Sequence, residues 1–361
     1  MKMDFINDIL IEARTGAQPH PEDAIFDGSA AAKQALDSLQ YVIKNPGSVT
    51  IKWDGFPALI FGRLPDGRFT IQDKYMFDNQ VFAENPQAWQ TYDSKKRSGT
   101  LRPDLYAKLN NIWSGLEQAV GNSTGFFWGD LLWSQQLSPV NGMYVFKPNV
   151  VEYRIPAKTP LGQQIGRSVG GIVVHQYFAD SRAKPQQWNG KGLDTNAPVA
   201  VLAPNAGVKF KLDDPIQLTK AASAAVNQYS RLAETFLGGM DGVARQAIQK
   251  YMNKKITGQT NEELVDWLQT NVSGKQYKSL VGDNYGGYLY RNEKGLTALF
   301  TVWNAIYALK VNLAQQLEQQ VQGIESWVGG QKQGEGFVFN TPQGLVKLVQ
   351  RGTFGQALFN K

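Results

Sequence analysis

The hydrophobic period of this chain changes three times, and that change limits the folds open to it. From Val49 to about residue 211, short apolar segments follow a period of two, and from 215 to 328 apolar residues recur at spacings of three and four. Period two belongs to half-buried strands and period 3.6 to amphipathic helices, so the pattern predicts an α+β chain. Strands are expected at 49–54, 57–63 and 68–73, the last two joined by the turn Pro65-Asp66-Gly67. Further strands are expected at 125–133, at 143–155 with a bend at Pro148-Asn149, and at 170–178, with short ones at 199–202 and 207–211. A helix is expected from Pro103. Leu299, Val302, Ile306, Leu309, Leu313, Leu317 and Val321 form one helical stripe, which reads as core rather than as a cofactor site.

Four segments follow from this pattern. Residues 1–45 read as two helices around a loop, the second capped by Ser29. Residues 46–212 form the first part of a sheet-rich domain, and 213–328 form a helical insertion. Residues 329–361 begin with the glycine-rich "GGQKQGEG" and add a C-terminal hairpin, "EGFVF" and "LVKLV", that rejoins the first sheet.

With 361 residues, 42% of them hydrophobic, the chain has material for one large domain or two smaller ones. It has no cysteine, which removes disulfides, thiolate metal sites and cysteine nucleophiles. His20 and His175 are the only histidines, too few for a histidine-rich metal site or a histidine-based triad. A metal would therefore be a hard cation held by carboxylates and phosphates. The net charge of +6 is compatible with a phosphate-bearing partner without requiring one. The N-terminal "MKMDFINDILIEART" has acidic residues among its apolar ones and no cleavage site, so it is not a signal peptide. No apolar run reaches the length of a membrane span. No membrane partner is expected, and the cytoplasm is the default location.

Charged residues interrupt several of the apolar strands. In "SVTIKWDGFPALIFGR" (48–63), Lys52 sits between Ile51 and Trp53, and Asp54-Gly55 ends the run. Lysine is rarely buried unless paired. An apolar wall penalises its charged form and so favours the nucleophilic amine. Gly55 permits close backbone approach. A surface hairpin with a solvated lysine would show the same four residues. "FFWGDLLW" (126–133) places Asp130 among bulky apolar residues, "GEGFVF" (334–339) carries Glu335, and "GLVKLVQR" (344–351) carries Lys347 and Arg351. Two lysines and carboxylates on apolar strands suit a phosphate with a divalent cation. His175 in "GGIVVHQYF" (170–178) reads as a hydrogen-bonded core residue. Lys95-Lys96-Arg97 reads as a solvated loop with the option of a phosphate contact.

The order Lys-x-Asp-Gly, aromatic-x-Gly-acid, Glu-Gly-x-Val and strand lysine resembles the covalent nucleotidyltransferase superfamily of ATP-dependent DNA ligases, RNA ligases and capping enzymes. "HPED" (20–23) and "FKPNVVEY" (146–153) add a likeness to ligase-like proteins of tailed bacteriophages. The resemblance spans 46–180 and 329–351. It implies an adenylation-domain-like fold of antiparallel sheets with flanking helices, and host cytoplasm if the chain is phage-encoded. It further implies that Lys52 attacks the α-phosphorus of ATP, with GTP left open, and carries a lysyl-AMP. Asp54 and Gly55 would complete that motif, and Lys74 would contact the nucleotide or a nucleic-acid end. Asp130 and Glu335 would serve the nucleotide and Mg²⁺, while Lys347, backed by Arg351, would neutralise the α-phosphate.

The departures are specific. Aspartate replaces the usual glutamate at 130, a single lysine stands at 347, and Gly170 stands where "GGIVVHQYF" would need a glutamate to imitate the Glu-Gly-x-Val motif. No C-terminal OB domain follows Lys347, which favours an RNA-ligase-like enzyme acting on RNA or nicked DNA. Two alternatives stay open: a nucleotidyltransferase modifying a protein or small molecule, and a non-catalytic phage protein that binds nucleic acid or serves assembly.

Overall fold

In the computed structural model, residues 20–332, 334, 336–342 and 344–349 are described. The helix expected within 1–19, and the candidate residues Glu335 and Arg351, lie outside the described residues. Along the chain, a 3-10 turn (Pro21–Asp27) precedes α1 (Ser29–Lys44) and β1 (Val49–Ile51). Next come β2 (Ala58–Arg63), β3 (Phe69–Gln72), α2 (Lys74–Asp78), α3 (Pro86–Lys96), α4 (Pro103–Val120) and β4 (Gly125–Trp133). They are followed by β5 (Met143–Phe146), β6 (Glu152–Pro156), α5 (Pro160–Gly166), β7 (Gly170–Phe178), β8 (Gln186–Gln187) and β9 (Val199–Leu202). The helical stretch comprises α6 (Ile216–Gly238), α7 (Gly242–Lys254), α8 (Asn261–Asn271), α9 (Gly274–Leu280), α10 (Tyr288–Arg291) and α11 (Glu293–Glu318). Last are β10 (Glu325–Val328), β11 (Gln331–Lys332), β12 (Phe337–Thr341) and β13 (Gly344–Leu348). The α+β class holds.

The chain divides into two units. One comprises residues 51–208 and 321–335, the other 1–50, 209–320 and 336–361. The first is built on a six-stranded sheet of order β3-β2-β4-β7-β8, antiparallel throughout, with β9 added parallel to β7. Side chains alternate across it. Leu59, Phe61, Phe127, Ile172 and Val174 face α4, where they meet Leu109, Ile112 and Leu116 in one buried cluster. Ile60, Phe126 and Phe178 face the other way, onto Phe77 of α2. Each fully buried side chain of this size contributes roughly 1.5–3 kcal/mol. A second sheet, β11-β10-β6-β5, belongs to the same unit. Gly329 and Gly330 make its last turn with φ of 58° and 81°, the left-handed geometry a two-residue hairpin of this type demands.

In the helical unit, α11 packs along α6, and Leu299, Val302, Ile306, Leu309, Leu313 and Leu317 are fully buried. A Cβ at Gly295 would lie 2.6 Å from Cβ of Phe236, so glycine allows the two helices to touch. By length and composition α11 is apolar enough to cross a membrane, yet its apolar face is core. Lys310 on α11 is buried and ion-paired with Glu22, also buried, and Trp303 Nε1–H donates to Asp23 at 3.0 Å. These two contacts explain the acidic pair in "HPED". A three-stranded sheet of order β1-β12-β13 completes the fold of this part.

Several expectations change. The strand at 49–54 ends at Ile51, because β1 pairs with β12 instead of β2. The C-terminal hairpin therefore meets the strand before Lys52, and it also packs on α1 and α11, grouping with the helices rather than with the six-stranded sheet. Residues 207–211 are irregular. The helical stripe stops at Glu318, short of Val321, and Glu325–Val328 is a strand because it finds a partner edge in β6. That partner lies about 170 positions earlier in the chain and leaves no local trace.

Removing one member of a buried ion pair strands the other charge, at a cost of about 3–5 kcal/mol, whereas replacing both by apolar residues is often neutral. Glu22→Leu and Lys310→Met are each expected to lower the denaturation midpoint sharply, and the double variant to recover most of the loss. Chemical denaturation of the four proteins checks this; additive losses would refute it.

Candidate functional site

Lys52 follows β1 directly. Val49, Ile51 and Trp53 are buried, whereas Thr50 and Lys52 are half-buried, so the alternation expected from the sequence continues past the end of the ladder. Both neighbours of Lys52 are tied to one carbonyl. The Ile51 N–H donates to the Pro204 oxygen at 3.0 Å, and Trp53 Nε1–H donates to it at 3.2 Å. The Trp53 ring also packs on Tyr153, with centroids 5.0 Å apart.

The alternation breaks at Asp54, which is buried where an outward residue is expected. Its carboxylate accepts hydrogen bonds from Asn149 Nδ2 (2.9 Å) and from the backbone N–H groups of Val150 (2.6 Å) and Val151 (2.8 Å). Its own N–H donates to the Tyr153 hydroxyl at 2.6 Å. Such an arrangement lets a carboxylate be buried, because its lone pairs are satisfied by fixed donors. Burial pushes the Tyr153 pKa far above its ordinary value, and the nearby Asp54 and Asp130 carboxylates add to this, so the phenol stays neutral. Asp54 thus acts as a brace that locks the turn after Lys52 onto the 149–153 segment.

Gly55 then meets Asp130. A Cβ on Gly55 would lie 2.5 Å from the Asp130 Cβ and 3.0 Å from its carbonyl carbon, closer than any side chain tolerates. The Phe56 N–H donates to the Leu131 oxygen at 2.8 Å, and the Leu131 N–H to the Pro57 oxygen at 3.0 Å. The register of β2 on β4, with Ala58 opposite Asp130, fixes this contact. Lys-x-Asp-Gly and the Gly-Asp of β4, 75 residues apart, therefore converge.

Asp130 is half-buried and bonded to His175, with Nε2 2.9 Å from its Oδ2. The pair depends on an irregularity. Trp128 is opposite Gln176 and Gly129 opposite Val174, so His175 is an extra residue in β7 and its side chain is redirected. Its displaced carbonyl accepts from the Trp188 N–H at 3.0 Å. The hydrogen bond expected of His175 is present, with a carboxylate as partner. Periodicity could not reveal this contact, because bulges have no local signature in strands 45 residues apart.

Lys74 opens α2, just after Asp73 caps that helix by accepting from the Met76 N–H at 2.8 Å. Its Nζ lies 5.5 Å from the centroid of the Trp128 ring, two residues before Asp130 on the same face of β4. Lys52, Asp54, Gly55, Lys74 and Asp130 thus all belong to the sheet unit. Lys347 belongs to the helical unit, half-buried on β13 opposite Val338. Among the described residues, no three histidine or acidic side chains gather into a metal cluster. Of the two expected metal ligands Asp130 is described, and Glu335 lies outside the described residues.

Gly55→Ala should cost about 1–3 kcal/mol through overpacking against Asp130. Gly47→Ala, where nothing lies within 4 Å of the added Cβ, should be close to neutral. Thermal melts of the two variants compare them; equal shifts would contradict the close contact.

No curated protein and no solved structure matches this chain. The model of a family of unknown function, DUF6267, matches residues 19–361, which take in one unit and most of the other. On that match, the chain belongs to the DUF6267 family.

Proposed function

We propose that the chain is an ATP-dependent nucleotidyltransferase of ligase type, closest in character to RNA ligases, with Lys52 as its covalent nucleophile. The contact of Gly55 with Asp130 carries this reading, because it joins two sequence elements that the covalent nucleotidyltransferase resemblance requires in one place. The bracing of Asp54 supports it by holding the turn after Lys52 in one conformation.

In the first step the neutral Lys52 amine attacks the α-phosphorus of ATP. The N–P bond forms, the bond to the bridging oxygen of the β-phosphate breaks, pyrophosphate leaves, and the nitrogen loses a proton. In the second step an acceptor oxygen attacks the same phosphorus, the P–N bond breaks, and the lysine amine is regenerated. Mg²⁺ commonly takes one or two carboxylates together with substrate phosphates, and Asp130, beside His175, would be the described carboxylate to hold it. When bound, it supplies neutralisation of the phosphate charge. On the same reading Glu335 would assist this step.

The acceptor on this reading is a polynucleotide, RNA or nicked DNA. Three lysine–aromatic pairs in the sheet unit favour it. Lys74 lies over Trp128, Lys96 lies 3.1 Å from the centroid of Tyr75, and Lys108 lies 6.0 Å from that of Phe56. Phe56 and Tyr75 are about half exposed. Ala58 pairs with Asp130 and Ile60 with Gln72, so Phe56, Lys74 and Tyr75 gather at the Asp130 end of the sheet. Rings that stack on bases, beside cations that meet phosphates, suit a single strand.

Incubated with ATP and Mg²⁺, the protein should gain one acid-labile AMP, read by mass spectrometry. Lys52→Ala should abolish the gain without altering the melting curve. Equal labelling of both proteins would refute the assignment.

Binding of single-stranded RNA should weaken steeply with salt, because phosphate contacts release counterions. Lys95→Glu/Lys96→Glu/Lys108→Glu should reduce strand joining far more than self-labelling. Arg97 is left intact, since it donates to the buried Asp93 at 3.2 Å and holds the end of α3. Joining that survives this triple reversal would remove the polynucleotide surface from the proposal.

A further inference from the structure

Strand alternation in β4 sends Phe127 towards α4 and Asp130 to the opposite face of the sheet. On the α4 face, next to Phe127, lies a cavity of about 480 Å³ that the chemistry at Lys52 does not use. Volumes of this order hold small-molecule ligands.

Its walls are held in place before any ligand arrives. Phe127 and Tyr177 both line it, with ring centroids 5.3 Å apart. The Tyr177 hydroxyl donates to the Thr124 oxygen at 3.2 Å, and Gly125 leaves room for that ring, since a Cβ there would lie 2.7 Å from the hydroxyl. The far rim is a turn over residues 189–192. Trp188 Nε1–H donates to the Lys191 oxygen at 2.7 Å, and the Lys191 N–H donates to Asn189 Oδ1 at 3.0 Å. Gly192, with φ of 85°, closes the turn onto Phe127.

The lining has a distinct chemistry. Asn122 and Gln186 line the cavity with their amides available, Lys191 brings a positive charge, and among the described residues no carboxylate lines it. A carboxamide offers a donor beside an acceptor, the pattern that pairs with the N6 and N7 edge of adenine. An aromatic ring offers a stacking face for a base, and a lysine without a neighbouring carboxylate attracts a phosphate. A neutral sugar would use the amides and the ring but not the charge.

We infer that this cavity is a second nucleotide site, with a purine base against Tyr177, its edge at the Asn122 and Gln186 amides, and its phosphate at Lys191. The site is separate from Lys52 and does not depend on covalent transfer there. A free purine nucleotide and the terminal nucleotide of a strand share this chemistry.

The test is calorimetric titration of full-length Lys52→Ala protein, without Mg²⁺, using AMP, GMP, a four-residue oligoadenylate RNA and maltose. AMP or GMP should bind, maltose should not, and Gln186→Ala and Lys191→Ala should each weaken binding roughly tenfold. Both side chains are exposed, so the substitutions leave the fold intact. The oligoadenylate binding more tightly than AMP marks a strand end as the natural ligand; equal affinity marks a free nucleotide. Absence of nucleotide binding, affinity unchanged by both substitutions, or maltose binding as tightly as AMP would overturn the inference. Self-labelling of the Gln186→Ala/Lys191→Ala protein, with Lys52 present, should match that of the unsubstituted protein. Loss of labelling in every protein would count against covalent transfer alone.

Discussion

The buried carboxylate of Asp54 is the constraint on which the sheet unit's candidate site depends. A carboxylate enters a protein interior only if its charge is met by donors, and here two backbone N–H groups and one amide meet it. Those donors come from residues 149–151, so satisfying one side chain fixes the path of two distant segments. With the turn after Lys52 so held, Gly55 is set against Asp130, and any larger residue at 55 would collide with it. The chemistry proposed at Lys52 rests on this packing geometry more than on any individual catalytic group.

The six-stranded sheet then separates two environments. One face carries Asp130, His175 and Trp128, with Lys74 over the last, and is only partly covered by α2. The other is filled by α4 and opens towards the rim formed by β8 and the 189–192 turn. A single extra residue, His175, converts regular alternation in β7 into a contact between a ring nitrogen and a carboxylate. Bulges in this role are a means of aiming side chains without changing the fold.

The helical unit solves a different problem. The apolar face of its longest helix needs coverage, and α6 and α1 supply it together with the 3-10 turn at Pro21–Asp27. Burying Lys310 among these elements is tolerable because Glu22 is buried with it, and its Nζ also lies over the Tyr307 ring. A slip of α11 against the turn would separate the two buried charges, which opposes it. Acidic residues that resemble a functional motif in sequence are here a device for specifying packing.

Local composition and periodicity were sufficient to define the most apolar elements. The strands at 125–133, 170–178 and 199–202 were legible as short, largely buried apolar runs, and the stripe from Leu299 to Leu317 because its burial repeats with the helix period. Lys52, Asp130 and Lys347 stood out as charges flanked by large apolar residues, although their chemical role is not a property of periodicity. Pairing partners were decided by the tertiary structure alone. That β1 joins β12, that β10 joins β6, that Asp54 turns inward and that His175 reaches Asp130 each depend on residues 45 to about 290 positions away. Such contacts lower the free energy only after the intervening chain has folded, so they leave no signature in any short window of sequence.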